Sequence, residues 1–60
     1  MSSKQRITAD VRYVRQMLRE IEAALKANDY ATVIDRANEA SCAAAAVLEA
    51  AAEISGLDTP

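Results

Sequence analysis

Apolar residues recur down the first half of the chain with the spacing of an α-helix. They follow one another at alternating intervals of four and three residues: Ile7, Val11, Val14, Leu18, Ile21 and Leu25. Residues three and four apart lie on one side of a helix. The repeat therefore predicts a helix with a continuous apolar stripe that packs against a partner.

A second stripe with the same spacing follows a short polar break, and its residues are smaller. They are Tyr30, Val33, Ala37, Ala40, Ala44, Val47, Ala51 and Ile54. Small side chains allow two helices to approach toward the short end of the usual separation of about 8–10 Å. Since no segment alternates apolar and polar residues with a period of two, no strand is predicted. The fold class that follows is all-α, an antiparallel helical hairpin.

Capping residues set the ends of the two predicted helices. Helix one is expected over about residues 4–27, starting near Ser3 or at Thr8, and we favour Ser3 because Ile7 already belongs to the stripe. Asn28 tolerates the left-handed conformation that closes many helices, and Asp29 can cap the next helix. Helix two is expected over about 30–55, followed by a tail over 56–60. The chain is then a single domain over residues 1–60.

Each helix carries further apolar residues beside its stripe. Helix two adds Ile34, Ala45, Leu48 and Ala52, and helix one adds Tyr13, Met17 and Ala24. A lone hairpin covers one stripe per helix, whereas two hairpins packed as a four-helix bundle cover both. We therefore expect a homodimer in which the four additional residues of helix two form the oligomer interface. A higher oligomer and either relative orientation of the subunits remain open.

Charge is divided unevenly along the chain. Up to Arg19 five cations accompany one acid, whereas beyond it two cations accompany eight acids. This asymmetry fits an external anionic partner, or an attraction between the two halves of the chain.

Three arginines form a basic line on one flank of helix one. This arginine line consists of Arg12, Arg15 and Arg19. One hypothesis is a contact to nucleic-acid phosphates, with Tyr13 beside the line as a stacking group.

The other hypothesis pairs the cations with acids of helix two. Because the two helices have the same rise per residue, a residue of helix one lies level with a residue of helix two when their residue numbers add to about 57. Arg19 is then near Glu39 and Asp35. The same register brings Lys4 and Arg6 near Glu53 and Glu49. We favour this second hypothesis, because charge runs on helices are mostly solvated faces or salt-bridge networks.

Residues suited to catalysis or metal binding are few. The chain has no histidine, one cysteine and one glycine, so it lacks a zinc ligand set and a glycine-rich phosphate loop. Glu49 and Glu53 lie one turn apart, but helical di-metal sites add histidines to such pairs. Cys42 is expected to be a small packing residue or bystander; a thiol activated by Arg15, or a crosslink between subunits, is the alternative. We predict no catalytic residue, no cofactor and no metal, and therefore a protein that is not an enzyme.

The same residues bear on location. A lone thiol suits a reducing, cytoplasmic setting. The polar amino terminus is not followed by an unbroken apolar stretch, so neither a signal peptide nor a membrane span is expected.

In length and layout the predicted hairpin resembles the Rop-type plasmid regulators, which are dimeric four-helix bundles that bind RNA through their first helices. We predict a non-enzymatic protein–protein interaction module, a small dimeric helical adaptor or regulator with a protein partner. The alternative that the resemblance implies is a nucleic-acid-binding regulator. It would use Arg12, Arg15 and Arg19, with Tyr13.

Overall fold

Two long helices lie side by side in the computed structural model of the chain, which describes residues 3–56. Helix α1 spans Ser3–Lys26 and helix α2 spans Tyr30–Ser55, and the two pack against each other as an antiparallel hairpin. The described residues contain no strand. The predicted fold class is confirmed, and the helix bounds differ from the expected ones by no more than one residue.

The turn and the end of α2 follow the expected capping chemistry. Asn28 adopts a positive φ of 57°, and the Asp29 carboxylate accepts hydrogen bonds from the backbone N–H and the hydroxyl of Thr32. Gly56, with φ 75°, donates its N–H to the carbonyl of Ala52 and ends α2. Thr8 lies inside α1 and donates its hydroxyl to the Lys4 carbonyl, so the expected start at Ser3 is correct. The rest of the expected tail, residues 57–60, lies outside the described residues.

The contact stripe of α1 differs from the predicted one at two positions, whereas the other four predicted members are half-buried as expected: Ile7, Val11, Val14 and Ile21. Met17 and Ala24 are the most buried apolar residues, at 5% and 6% exposure, whereas Leu18 and Leu25 are 52% and 48% exposed. The expectation that both leucines face α2 is therefore wrong, and α1 is rotated so that part of its second apolar line points inward.

The contact stripe of α2 is shifted in the same way. Val33, Ala40 and Val47 are half-buried as expected. The other predicted members are exposed: Tyr30, Ala37, Ala44, Ala51 and Ile54. The neighbours of the three alanines, Arg36, Ala43 and Ala50, are half-buried instead. The rotation is physically favourable because it brings polar side chains of the two helices together along one side of the hairpin, as described below.

Met17 is the larger of the two buried apolar side chains among residues 3–56. Met17→Ala should lower the free energy of unfolding by about 2 kcal/mol or more, since truncating a buried methionine removes apolar contacts and leaves a cavity. Urea denaturation followed by circular dichroism measures the change. Asn38→Ala, at an exposed position of α2, is the matched control and should change stability by about 0.5 kcal/mol at most. Equal effects of the two substitutions would show that Met17 is not a core residue.

Candidate interaction surfaces

One broad side of the hairpin is held by polar bonds between the helices. The Tyr13 hydroxyl donates to Glu39 Oε2 at 2.6 Å, and Arg36 Nε donates to Glu20 Oε1 at 2.5 Å. Each bond joins a residue of α1 to a residue of α2. The flank of α1 that carries Tyr13 and Glu20 therefore lies on the same side of the hairpin as the flank of α2 that carries Arg36 and Glu39. We call this side the polar face, defined by Tyr13, Glu20, Arg36 and Glu39.

Arg36 is the centre of the polar face. Its guanidinium pairs with Glu20 and with Asp35, and lies 4.0 Å from a Glu39 oxygen. The half-buried position shows how a long side chain can lie along a helix contact while its charged end reaches the surface. The hydrogen bond to Glu20 raises the pKa of Arg36, and hydrogen bonds from Gln16 and Arg36 lower the pKa of Glu20. Both shifts are in the direction expected of an ion pair, in which each group favours the charged form of the other.

The polar face continues toward the open end of the hairpin as a shallow depression. It encloses about 240 Å³ and is lined by Arg6, Asp10, Ala46, Glu49, Ala50 and Glu53. The prediction that Arg6 lies near Glu49 and Glu53 along the hairpin is thus confirmed. The volume lies below the range of about 300–1,000 Å³ that is typical of small-molecule sites. Across residues 3–56, no three His, Cys, Asp or Glu side chains are grouped so as to hold a metal ion.

The arginine line is exposed on the edge of α1 that is turned away from α2. Within residues 3–56 none of Arg12, Arg15 and Arg19 forms an ion pair. The expectation that Arg19 pairs with Glu39 and Asp35 is wrong, because those acids pair with Arg36 instead. Tyr13 does not join the line either, since its hydroxyl is bound to Glu39 on the polar face. Because each residue of a helix is rotated by about 100° from the one before it, Tyr13 points in a different direction from Arg12 and Arg15.

The opposite broad side of the hairpin is apolar. Tyr13 and Glu39 mark the flank of each helix that belongs to the polar face. The remaining flank of α1 and the remaining flank of α2 therefore lie together on the opposite side of the hairpin. There Leu18 and Leu25 of α1 are about half exposed, while Ile34 and Leu48 of α2 are 71% and 70% exposed. We call this side the apolar face; its central part on α2 consists of the exposed small residues Ala37, Ser41 and Ala44.

The residues predicted to form an oligomer interface lie on or beside the apolar face. Ile34, Leu48 and Ala45 are exposed and Ala52 is half-buried. Their exposure leaves them accessible to a second chain, and their role remains a prediction. Cys42 is also exposed. Leu18 and Leu25 are also interface candidates, although their spacing predicts a place in the hairpin contact. The signal in the sequence that favours the observed arrangement is that Met17 and Ala24 fit an equally regular inner stripe.

Comparisons with known proteins identify no relative of the chain. No family model matches the sequence, and neither the curated proteins nor the solved structures give a significant match. The resemblance to Rop-type regulators therefore remains one of length and helical layout. In the described part of the chain, neither helix is long and apolar enough to cross a membrane.

The hydrogen bond from Tyr13 to Glu39 predicts a measurable pH dependence. The bond and the nearby carboxylate charge raise the pKa of Tyr13 above its ordinary value of about 10. In a Tyr30→Phe chain Tyr13 is the only phenol, so an ultraviolet titration reports it alone. The midpoint should lie above 10 and fall when Glu39→Gln removes the charge. Because the folded-state pKa is raised, this bond stabilises the hairpin fully below about pH 10, and the stabilisation is lost as the pH rises through the folded-state pKa. An identical midpoint with and without Glu39 would contradict the contact.

Proposed function

We propose that the chain is a non-enzymatic protein–protein interaction module, a small dimeric helical adaptor or regulator of the cytoplasm. The observation that carries this proposal is the apolar face, where Leu18, Leu25, Ile34 and Leu48 are all about half exposed or more. Large apolar side chains gathered on one side of a small protein are typical of protein–protein contact sites.

The chemistry of the side chains supports an interaction role over catalysis. The chain has no histidine and one cysteine, and the carboxylates with altered pKa values, Glu20 and Asp29, have structural partners. Glu20 is bound by Arg36 and Gln16, and Asp29 caps α2 through Thr32. Perturbed groups at an active site are expected to face a cleft that holds substrate. Here they hold helices in place.

Covering the apolar face in a dimer leaves other surfaces for a protein partner. The exposed arginine line on α1 and the acids of the depression, Glu49 and Glu53, remain outside it. Charged surfaces of this kind direct the encounter with a partner of complementary charge and contribute to specificity. A dimeric hairpin would present two copies of each surface.

The apolar face should control self-association. Sedimentation equilibrium at micromolar concentration should show at least a dimer. The double variant Leu18→Gln, Leu48→Gln should weaken association at least about 100-fold, because burying a leucine contributes about 1.5–3 kcal/mol and 1.4 kcal/mol corresponds to tenfold in Kd.

The matched control for this pair is the double variant Asn38→Gln, Ala46→Gln, which changes exposed residues away from the apolar face. It should associate like the unmodified chain. A well-folded monomer in the unmodified protein, or equal weakening in both double variants, would contradict the proposal.

A second candidate function is favoured by one observation: the arginine line forms no ion pair with any other residue of the range 3–56. The acids that were expected to neutralise Arg19 are bound to Arg36, so these guanidinium groups are free to contact phosphates. We rank a nucleic-acid-binding regulator second because the chain has a net charge of −2, which repels a polyanion at long range. Tyr13, as a partner of Glu39, adds no stacking surface beside the line.

Replacing Arg12, Arg15 and Arg19 together with Gln separates the two candidates. We expect the variant to fold with nearly unchanged stability, since exposed charges on helices contribute about 0–1 kcal/mol each. Binding to a mixed pool of structured RNA and duplex DNA should be weak at moderate salt in both proteins. Submicromolar binding that falls steeply with salt and disappears in the triple variant would promote the nucleic-acid regulator to first place.

A further inference from the structure

The hairpin is a single layer of helices. Its dimensions are 44 × 24 × 12 Å and its radius of gyration is 14.0 Å, whereas a compact 60-residue protein has a radius of gyration of about 10 Å. Domains are usually built from two packed layers around one core. The apolar face is therefore the side on which a second layer is missing.

The exposed area indicates how large the second layer is. The chain exposes 4672 Å², whereas a compact monomer of 6.4 kDa is expected to expose about 3,800 Å². The excess of roughly 900 Å² is close to the 800 Å² or so that each partner buries in an interface of standard size. A second copy of the chain, which brings an apolar face of the same size, covers it without any other component.

Two symmetric arrangements place the apolar faces of two copies together. If the twofold axis runs parallel to the helices, α1 of one copy lies over α2 of the other, and both turns are at the same end. If the axis runs across the helices, α1 lies over α1 and α2 over α2, and the turns are at opposite ends. Both arrangements are closed dimers with identical patches on the two copies.

Charge distinguishes the two arrangements. Helix α1 carries six cations and three carboxylates, so its net charge is +3; helix α2 carries one cation and four carboxylates, so its net charge is −3. Placing α1 over α1 brings two helices of the same net positive charge together. Placing α1 over α2 sets opposite net charges against each other in both halves of the dimer. Like charges brought together across an interface are unfavourable, so the second arrangement is preferred.

Side-chain size leads to the same arrangement. Arg36 with Glu20, and Arg6 with Glu49, show that residues of α1 and α2 whose numbers add to about 57 lie level. When both turns are at the same end, residues of α1 in the second copy lie level with the same residues of α2 in the first copy. Its Leu18 then lies over the small residues Ala37 and Ser41, and large side chains pack into the space that small ones leave.

We propose that the apolar face binds a second copy of the chain with α1 of each copy over α2 of the other, so that both turns lie at one end of a four-helix bundle. This arrangement rests on the proposed dimeric function and adds the identity and orientation of the occupant. The arginine lines of the two copies are then on diagonally opposite helices, and they do not merge into one basic surface.

The distance between the two turns tests the arrangement. In a Cys42→Ser background, Ala27→Cys places a single thiol at an exposed site beside the turn, where a nitroxide label is attached. Double electron–electron resonance at micromolar concentration measures the distance between labels of two copies. Turns at one end predict less than about 25 Å, because neighbouring helix axes are about 8–10 Å apart. Turns at opposite ends predict more than about 35 Å, because each label lies about twelve residues from the middle of α1.

A label at Gln16→Cys, near the middle of α1, is the matched control and should give a distance below about 35 Å in either arrangement. Circular dichroism and sedimentation confirm that the labelled chains are helical and dimeric. A dimer with a turn-to-turn distance above 35 Å would overturn the arrangement and leave the proposed function standing. A folded monomer with no distance from either label would overturn both.

Discussion

Two helices lying side by side can bury only the stripes that face each other, and the rest of the structure depends on this constraint. In the hairpin the inward stripes are lined by small or medium residues, and only Met17 and Ala24 of the described residues are buried apolar groups. So small a core supplies little stability, since a scaffold of this size rarely gains more than about 3–5 kcal/mol from one core. The proposed second layer would cover the remaining apolar side chains, and folding would then be linked to association.

Polar contacts between the helices form on one flank of the inward stripes. With Arg36 at the contact, its guanidinium reaches Glu20 and Asp35, and Tyr13 reaches Glu39. Each of these bonds contributes modestly at an exposed site, but together they occupy one flank of both helices. The leucines and isoleucine are then gathered on the opposite flank. The hairpin of α1 and α2 thus has a polar face and an apolar face, and the apolar face gives the hairpin its proposed role.

The helices and their ends could be predicted from the sequence because they depend on local chemistry. Asp29 caps α2, Asn28 takes the left-handed conformation and Gly56 ends the second helix, each through bonds within a few residues. The rotation of each helix could not be predicted in the same way. Helix α1 has two adjacent apolar lines, one through Leu18 and one through Met17, and periodicity does not distinguish them. The choice depends on Arg36, whose contacts cross between helices, and an arginine was not expected at the contact.

The charge pattern of the sequence correctly predicts that the two helices carry opposite net charges, but it does not predict which residues pair. A basic α1 and an acidic α2 attract each other, as the sequence predicts, but within residues 3–56 the ion pair between the helices is made by Arg36, the single arginine of α2, with Glu20 of α1. The exposed line of Arg12, Arg15 and Arg19 lies elsewhere on α1 and forms no ion pair with the other described residues. Register alone places residues at the same level; it does not place them on the same side of their helices.

The dependence of thermal stability on concentration tests most directly whether folding and association are linked. If the hairpin is one layer of a two-layer structure, the midpoint of thermal unfolding rises steadily between about 1 and 100 μM chain, because mass action stabilises the associated folded form. A sharp, cooperative transition whose midpoint is the same at every concentration would contradict this linkage and show that the single hairpin is stable on its own.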